Sequence, residues 1–115
     1  MSKNSHRRFP SALARIRDVA YADGGVPGKH KLLVALAIAA SVKCEPCIRM
    51  YAEKAVNAGA TREEAAEILN VTMAMGGCVG EAWAHKALVA FENFSRKLAT
   101  PAAPAAGRTE NCCSV

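Results

Sequence analysis

The sequence predicts an all-α protein, a compact bundle of about five to six helices. Three observations carry that expectation. Alanine is abundant and aromatics make up only 5% of the chain, a composition that suits close-packed helices better than strands. No stretch alternates apolar and polar residues as a half-buried strand would. Turn signals such as "DGGVPG" (23–28) and the Gly76-Gly77 pair separate segments whose apolar residues recur at helical spacing. At 115 residues the chain makes one domain, large enough to bury a core without disulfide or metal staples.

Residues 1–9 read as a flexible basic arm, and residues 10–98 as the helical domain. "PSALARIRDVAYA" (10–22) places Leu13, Ile16, Val19 and Ala20 at helical spacing, with Pro10 near its start. A second helix is expected over 29–42. It is apolar on every side after Lys31, so it belongs inside a core or between subunits. Pro46 suits the first turn of a third helix, where its missing N–H costs nothing. That helix runs to about Asn57, and Gly59 is placed to cap it. "TREE" (61–64) is a capping box, with Thr61 at the N-cap and Glu64 answering three residues on. A fourth helix is expected to stop at Gly76-Gly77 and a fifth to run from about Val79 to Leu98. Residues 99–115 are Pro/Ala-rich without periodicity and end in a vicinal Cys112-Cys113 pair, so they read as a disordered tail.

Charge and hydropathy exclude several roles. The net charge is +5, but residues 1–17 hold five Lys or Arg and no acid, and the remainder is neutral. A basic arm with a single aromatic, Phe9, reads as a solvated arm rather than a nucleic-acid surface. The longest apolar run, "LLVALAIAASV" (32–42), is far short of the ~20 residues of a membrane span. The N-terminal stretch has charge but no apolar core of a secretory signal. The expectation is a cytoplasmic protein with five cysteines that are reduced or catalytic rather than structural.

The chemistry is concentrated in "VKCEPCIRMY" (42–51). Cys44 and Cys47 fall in the first turn of the third helix, where the helix dipole and free N–H groups favour thiolate over thiol. Their spacing lets one sulfur attack and the other resolve. Two other readings stand beside this one. The pair could be half of a zinc site, but no second C-x-x-C completes it. It could be ordinary packing, although Lys43, Glu45 and Arg49 make the surroundings polar. A thioredoxin-like fold needs a strand ahead of the motif, and the residues before Cys44 read as helix. Glu45, between the two sulfurs, and His85, one turn after Glu81, are possible supporting groups. Cys112 and Cys113 could grip a soft ion such as arsenite or mercuric ion. Cys78, Met73 and Met75 read as packed core, and Trp83 as a core or subunit contact.

Residues 28–77, "GKHKLLVALAIAASVKCEPCIRMYAEKAVNAGATREEAAEILNVTMAMGG", resemble the carboxymuconolactone decarboxylase / AhpD-like family. The match rests on the helical run into C-x-x-C, the "KAVNAGATREEAAEIL" continuation and the closing Met-Gly-Gly. The resemblance implies an all-α fold that assembles into trimers or hexamers. It also implies thiol-dependent reduction of hydroperoxides or exchange with a partner thiol, through Cys44 and Cys47 and without a bound cofactor. The family's relay places a glutamate twelve residues before the first cysteine and a histidine four after the second. Leu32 and Tyr51 stand there instead. Leucine cannot accept a proton, and a phenol with an ordinary pKa near ~10 is a poor base at neutral pH, although it can donate a hydrogen bond to a thiolate. Two alternatives to the thiol oxidoreductase remain: a non-catalytic protein that binds a soft metal or metalloid through its cysteines, and a lactone decarboxylase relative. The intact C-x-x-C speaks against the second of these.

Overall fold

A computed structural model of the chain describes residues 12–99. The N-terminal arm and the tail with Cys112 and Cys113 lie outside the described residues. Among the described residues there are four helices and no strand: α1 over 12–20, α2 Gly28–Ser41, α3 Glu45–Asn57 and α4 Arg62–Ala99. None is long and apolar enough to cross a membrane.

The count differs from the five to six helices expected, and α4 supplies the reason. It is bent double. At Gly77 the backbone leaves the helix, with φ 63° and ψ −144°, a conformation open essentially to glycine alone. In a straight helix residues eight apart lie ~12 Å apart. Here a Cβ built on Gly80 would meet the Thr72 carbonyl oxygen at 2.5 Å. Arg62 and Glu92, thirty residues apart, form an ion pair. The two arms therefore run antiparallel, and the reversal that was expected to separate two helices needs no intervening loop.

The core lies between α2, α3 and the two arms of α4. Leu33 and Leu36 come from α2, Ile48, Ala52 and Ala55 from α3, and Leu69, Ala84, Ala87 and Phe91 from α4. Alanines at the crossings let the helices approach closely. The one buried polar residue among those described, Thr72, donates its hydroxyl to the Ala37 carbonyl of α2 at 3.2 Å. This meets the rule that a buried hydroxyl is costly without a partner.

Helix ends follow the capping rules closely. Thr61 and Glu64 exchange both bonds of the capping box, at 2.9 and 3.1 Å. The Thr61 amide first, and then Lys29 at 3.1 Å, hold the Glu64 carboxyl below the usual range. After α3, Gly59 (φ 91°) lets the amides of Gly59 and Ala60 reach back to Val56 and Ala55, a Schellman motif.

Two expectations of packing are corrected: Cys78 is exposed, and Met75 is 83% exposed, beside the reversal. The apolar residues Leu13, Ile16 and Val19 of α1 face outward, as do Val34 and Ile38 of α2 and Val42 at its C-cap. Trp83 packs partly against the core, with the Lys86 ammonium 4.5 Å from its ring.

The close approach of the α4 arms sets a test. A methyl at position 80 would meet main chain, which cannot swing aside, so Gly80→Ala should destabilise the fold by about 1–3 kcal/mol. Gly76→Ala, where a Cβ meets nothing within 4 Å, should be neutral or slightly stabilising. Urea denaturation of the two variants checks this.

Candidate functional site

The site grows from the junction of α2 and α3. At the end of α2 the Lys43 amide reaches Ala40 at 3.1 Å and the Cys44 amide reaches Ala39 at 3.0 Å. This is the same Schellman geometry as at Gly59, but the left-handed position is filled by Lys43, with φ 59°. A lysine there carries a Cβ penalty that glycine avoids. The next residue is already the N-cap of α3. The Cys47 amide donates to Cys44 Sγ at 3.3 Å, and Pro46 sits in the first turn, where no N–H is required.

Cys44 and Cys47 are joined in a disulfide, with their Cα atoms 5.2 Å apart. Both residues are half-exposed. The pair is thus at a helix N-terminus, open on one side to solvent and backed by α2 and α3 on the other. Reduction would leave sulfur facing free amide donors, which favour negative charge.

The expected supporting residues are placed differently from one another. The Glu45 carboxylate turns away to α4, where Lys86 meets it at 3.1 Å. His85 is exposed and lines the same shallow groove, of about 310 Å³, with Ile48, Arg49 and Val89. So Glu45 and His85 share a wall beside the pair, with no hydrogen bond between them. Tyr51 is the buried member, 8% exposed, one turn after Cys47 on α3. Leu32 is half-buried against the core and contributes to a second cavity, of about 430 Å³, with Arg17, Tyr21 and Lys54.

One residue at the site was not expected. Tyr21, just past α1, donates its hydroxyl to the Tyr51 hydroxyl at 3.0 Å. The rings meet edge to face, with centroids 5.5 Å apart and planes at 67°. Thirty residues separate them, so no local pattern announces the contact. The only hint in the sequence is that the chain has just two tyrosines. Burial first, then the bond to Tyr51, pushes the Tyr21 phenol up to about 12, with Arg17 pulling the other way. Among the described residues, no group of three or more His, Cys, Asp or Glu side chains is gathered as a metal site.

The profile of the carboxymuconolactone decarboxylase family matches residues 7–90, and the chain belongs to that family. Its fold is similar to a crystal structure of the apo form of a family member from Legionella pneumophila. The TM-score is 0.76 at 33% identity, over 81% of this chain and 83% of that one. It is also 37% identical to an uncharacterized protein of Cupriavidus necator over 82 residues, 71% of this chain and 73% of the relative. An uncharacterized protein of the cox locus of Paracoccus denitrificans is 32% identical over 83 residues, 72% and 75% of the two chains.

Two outcomes are expected from this geometry. Lys43→Gly should relieve the left-handed strain and stabilise the protein by about 1 kcal/mol in urea denaturation. The raised Tyr21 phenol stabilises the fold fully below pH ~10, where an unfolded tyrosine is also neutral. That contribution is lost as the pH climbs from there towards about 12. Thermal midpoints measured across this window should fall less steeply for Tyr21→Phe than for the parent.

Proposed function

We propose that the protein is a thiol–disulfide oxidoreductase that cycles Cys44 and Cys47 between dithiol and disulfide, in the manner of an AhpD-like hydroperoxide reductase. The observation that carries the reading is the pair itself. Two half-exposed cysteines have their sulfurs within bonding reach at a helix N-terminus, in a member of the carboxymuconolactone decarboxylase family. One thiolate attacks the terminal oxygen of a hydroperoxide. The O–O bond breaks, and the departing alkoxide takes a proton from water to leave as the alcohol. The second thiolate then attacks the sulfenic sulfur and displaces hydroxide, which is protonated by solvent and leaves as water, closing the disulfide. A soluble dithiol or a partner protein's thiols return the pair to its reduced form. No bound cofactor takes part. The reducing cytoplasm suits such a cycle.

The altered relay shapes the reaction. With Leu32 and Tyr51 at the relay positions, no carboxylate–imidazole couple draws a proton from the thiols. Thiolate would instead depend on the N-terminus of α3.

The protein is further proposed to work as a homo-oligomer, a trimer or a hexamer. Support comes from the uncovered apolar residues Val34 and Ile38 on α2 and Val42 at its C-cap, and from Val71, Met75 and Val79 around the chain reversal. Exposed apolar surface of this extent suits contact with another copy.

The decisive experiment is the intact mass of reduced protein after one equivalent of cumene hydroperoxide. Loss of two hydrogens, mapped by peptide analysis to Cys44 and Cys47, is expected. Cys44→Ser keeps an N-cap oxygen and should fold, yet should form no such bond. A dithiol pair that survives the peroxide unreacted sinks the hydroperoxide reading. Light scattering at micromolar concentration should return a multiple of the single-chain mass.

A further inference from the structure

We propose that the groove between α3 and the second arm of α4 binds a small organic carboxylate, with Arg49 holding its charge and Ile48 and Val89 its apolar body, and that the hydroperoxide consumed at Cys44 and Cys47 carries such a tail. The second half of the proposal rests on the thiol–disulfide reading and names the substrate class of that same site.

The first observation is the place of the groove. Glu45 and Ile48, two of its walls, are the residues that directly follow Cys44 and Cys47 in the chain. The Ile48 amide also donates to the Cys44 carbonyl at 2.9 Å. The second arm of α4 runs beside α3 in the same direction. Lys86 meets Glu45 at 3.1 Å near the start of α3, and Asn57 at its end shares a hollow with Phe94 and Leu98. The groove therefore follows α3 away from the cysteines, and Arg49 lies one turn, about 6 Å, beyond Glu45.

The second observation is the charge. Glu45 is the one acid lining the groove, and it is spent on Lys86. Lys86 is held in turn over the Trp83 ring, 4.5 Å from its centre. Arg49 has no carboxylate within ion-pair range among the described residues. A guanidinium presents paired N–H donors that match a carboxylate, and here that fork has no acid of the protein to meet. His85 adds a ring N–H donor on the facing wall.

The third observation is the apolar lining between these charges. Ile48 is buried at the base, and Val89, 40% exposed, stands opposite with Ala90. A hollow of about 310 Å³ is at the small end of ligand sites, which suits a compact organic acid rather than a long lipid chain. None of the apolar residues assigned above to contact between copies lines it. A carboxylate on Arg49 lays its apolar body along Ile48 and Val89 and directs the far end towards the start of α3, where the cysteines are. Binding of the tail then orients the reacting end. The bonds made and broken at sulfur stay those already given.

The test first asks whether the groove takes the anion. Parent, Arg49→Gln, Arg49→Lys and Lys54→Gln, each reduced with dithiothreitol and freed of it, are titrated at low salt with octanoate and with octanamide, its neutral counterpart. Calorimetry gives the affinity. Fluorescence gives the place, because the chain has a single tryptophan and Lys86 lies over it. Both substituted side chains are exposed, so the variants should fold, and circular dichroism checks that they do. Octanoate should bind saturably and change the Trp83 emission, and octanamide should bind about fivefold more weakly, the worth of one good surface ion pair. Arg49→Gln should lose the same factor and Arg49→Lys only part of it. Lys54→Gln, which removes a cation from the other cavity, should match the parent. Equal affinities for acid and amide overturn the proposal, and so does an Arg49→Gln variant that binds octanoate as the parent does.

The second arm asks what the cysteine pair consumes. Cumene hydroperoxide is compared with the same molecule bearing a carboxylate para to the peroxide-bearing carbon, and disulfide formation is mapped to Cys44 and Cys47. The carboxylated reagent should react about fivefold faster at low concentration, and Arg49→Gln should erase the preference. Equal rates in the parent overturn the substrate class. If neither reagent closes the disulfide, the redox reading falls instead, and the octanoate titration still decides the groove.

Discussion

Two helix ends meet at Cys44, and that one residue closes both. Its amide donates to Ala39 at 3.0 Å and finishes α2, while its carbonyl accepts from Ile48 at 2.9 Å and starts α3. Its sulfur accepts the Cys47 amide at 3.3 Å. Orphan N–H and C=O groups at helix termini have to be met somewhere, and here the main chain has no slack with which to meet them differently. Neither cysteine can shift far without unwinding the end of α2 or the first turn of α3. The junction thus sets the two cysteines 5.2 Å apart at their Cα atoms without a strand leading into it. Lys43 shows how strongly the junction is determined. It is forced into the left-handed region that Gly59 occupies freely one helix later.

Small residues decide the rest of the packing. Gly80 admits the Thr72 carbonyl, and Ala52, Ala55, Ala84 and Ala87 leave room for backbones rather than side chains. Phe91, Leu33, Leu36 and Leu69 fill the remaining space as the largest fully buried side chains. Doubling α4 back on itself supplies two walls of the core from one continuous segment. It also brings Lys86 and His85 to the groove beside Glu45, so the reversal at Gly77 helps to shape the surroundings of the cysteines.

What could be read in advance follows the range of each interaction. The helices, the capping box at Thr61 and Glu64, the glycine cap at Gly59 and the place of Cys44 and Cys47 at the start of α3 all depend on residues within one or two turns, and sequence spacing exposes them. The outward facing of Leu13, Ile16 and Met75 was hidden, because apolar periodicity names a face but not what covers it. The Gly76-Gly77 pair marked a break, yet a full reversal depends on one pair of backbone angles at Gly77 and on the empty space at Gly80. Tyr21 was hidden for the same reason. Its contact with Tyr51 exists only once α1 has folded across to α3, and it leaves no periodic trace.

The two tyrosines also bear on which half of a redox cycle the site would favour. A carboxylate and an imidazole could take a proton from an attacking thiol and return it to a leaving group. Phenols at neutral pH perform only the donating half. Under the proposed reaction, the burden of forming thiolate then falls on the N-terminus of α3, a fixed field that does not change as the reaction proceeds. The two phenols satisfy each other at 3.0 Å and bring no base to the sulfurs, so under the same reading both the opening and the closing of the pair rest on that helix end.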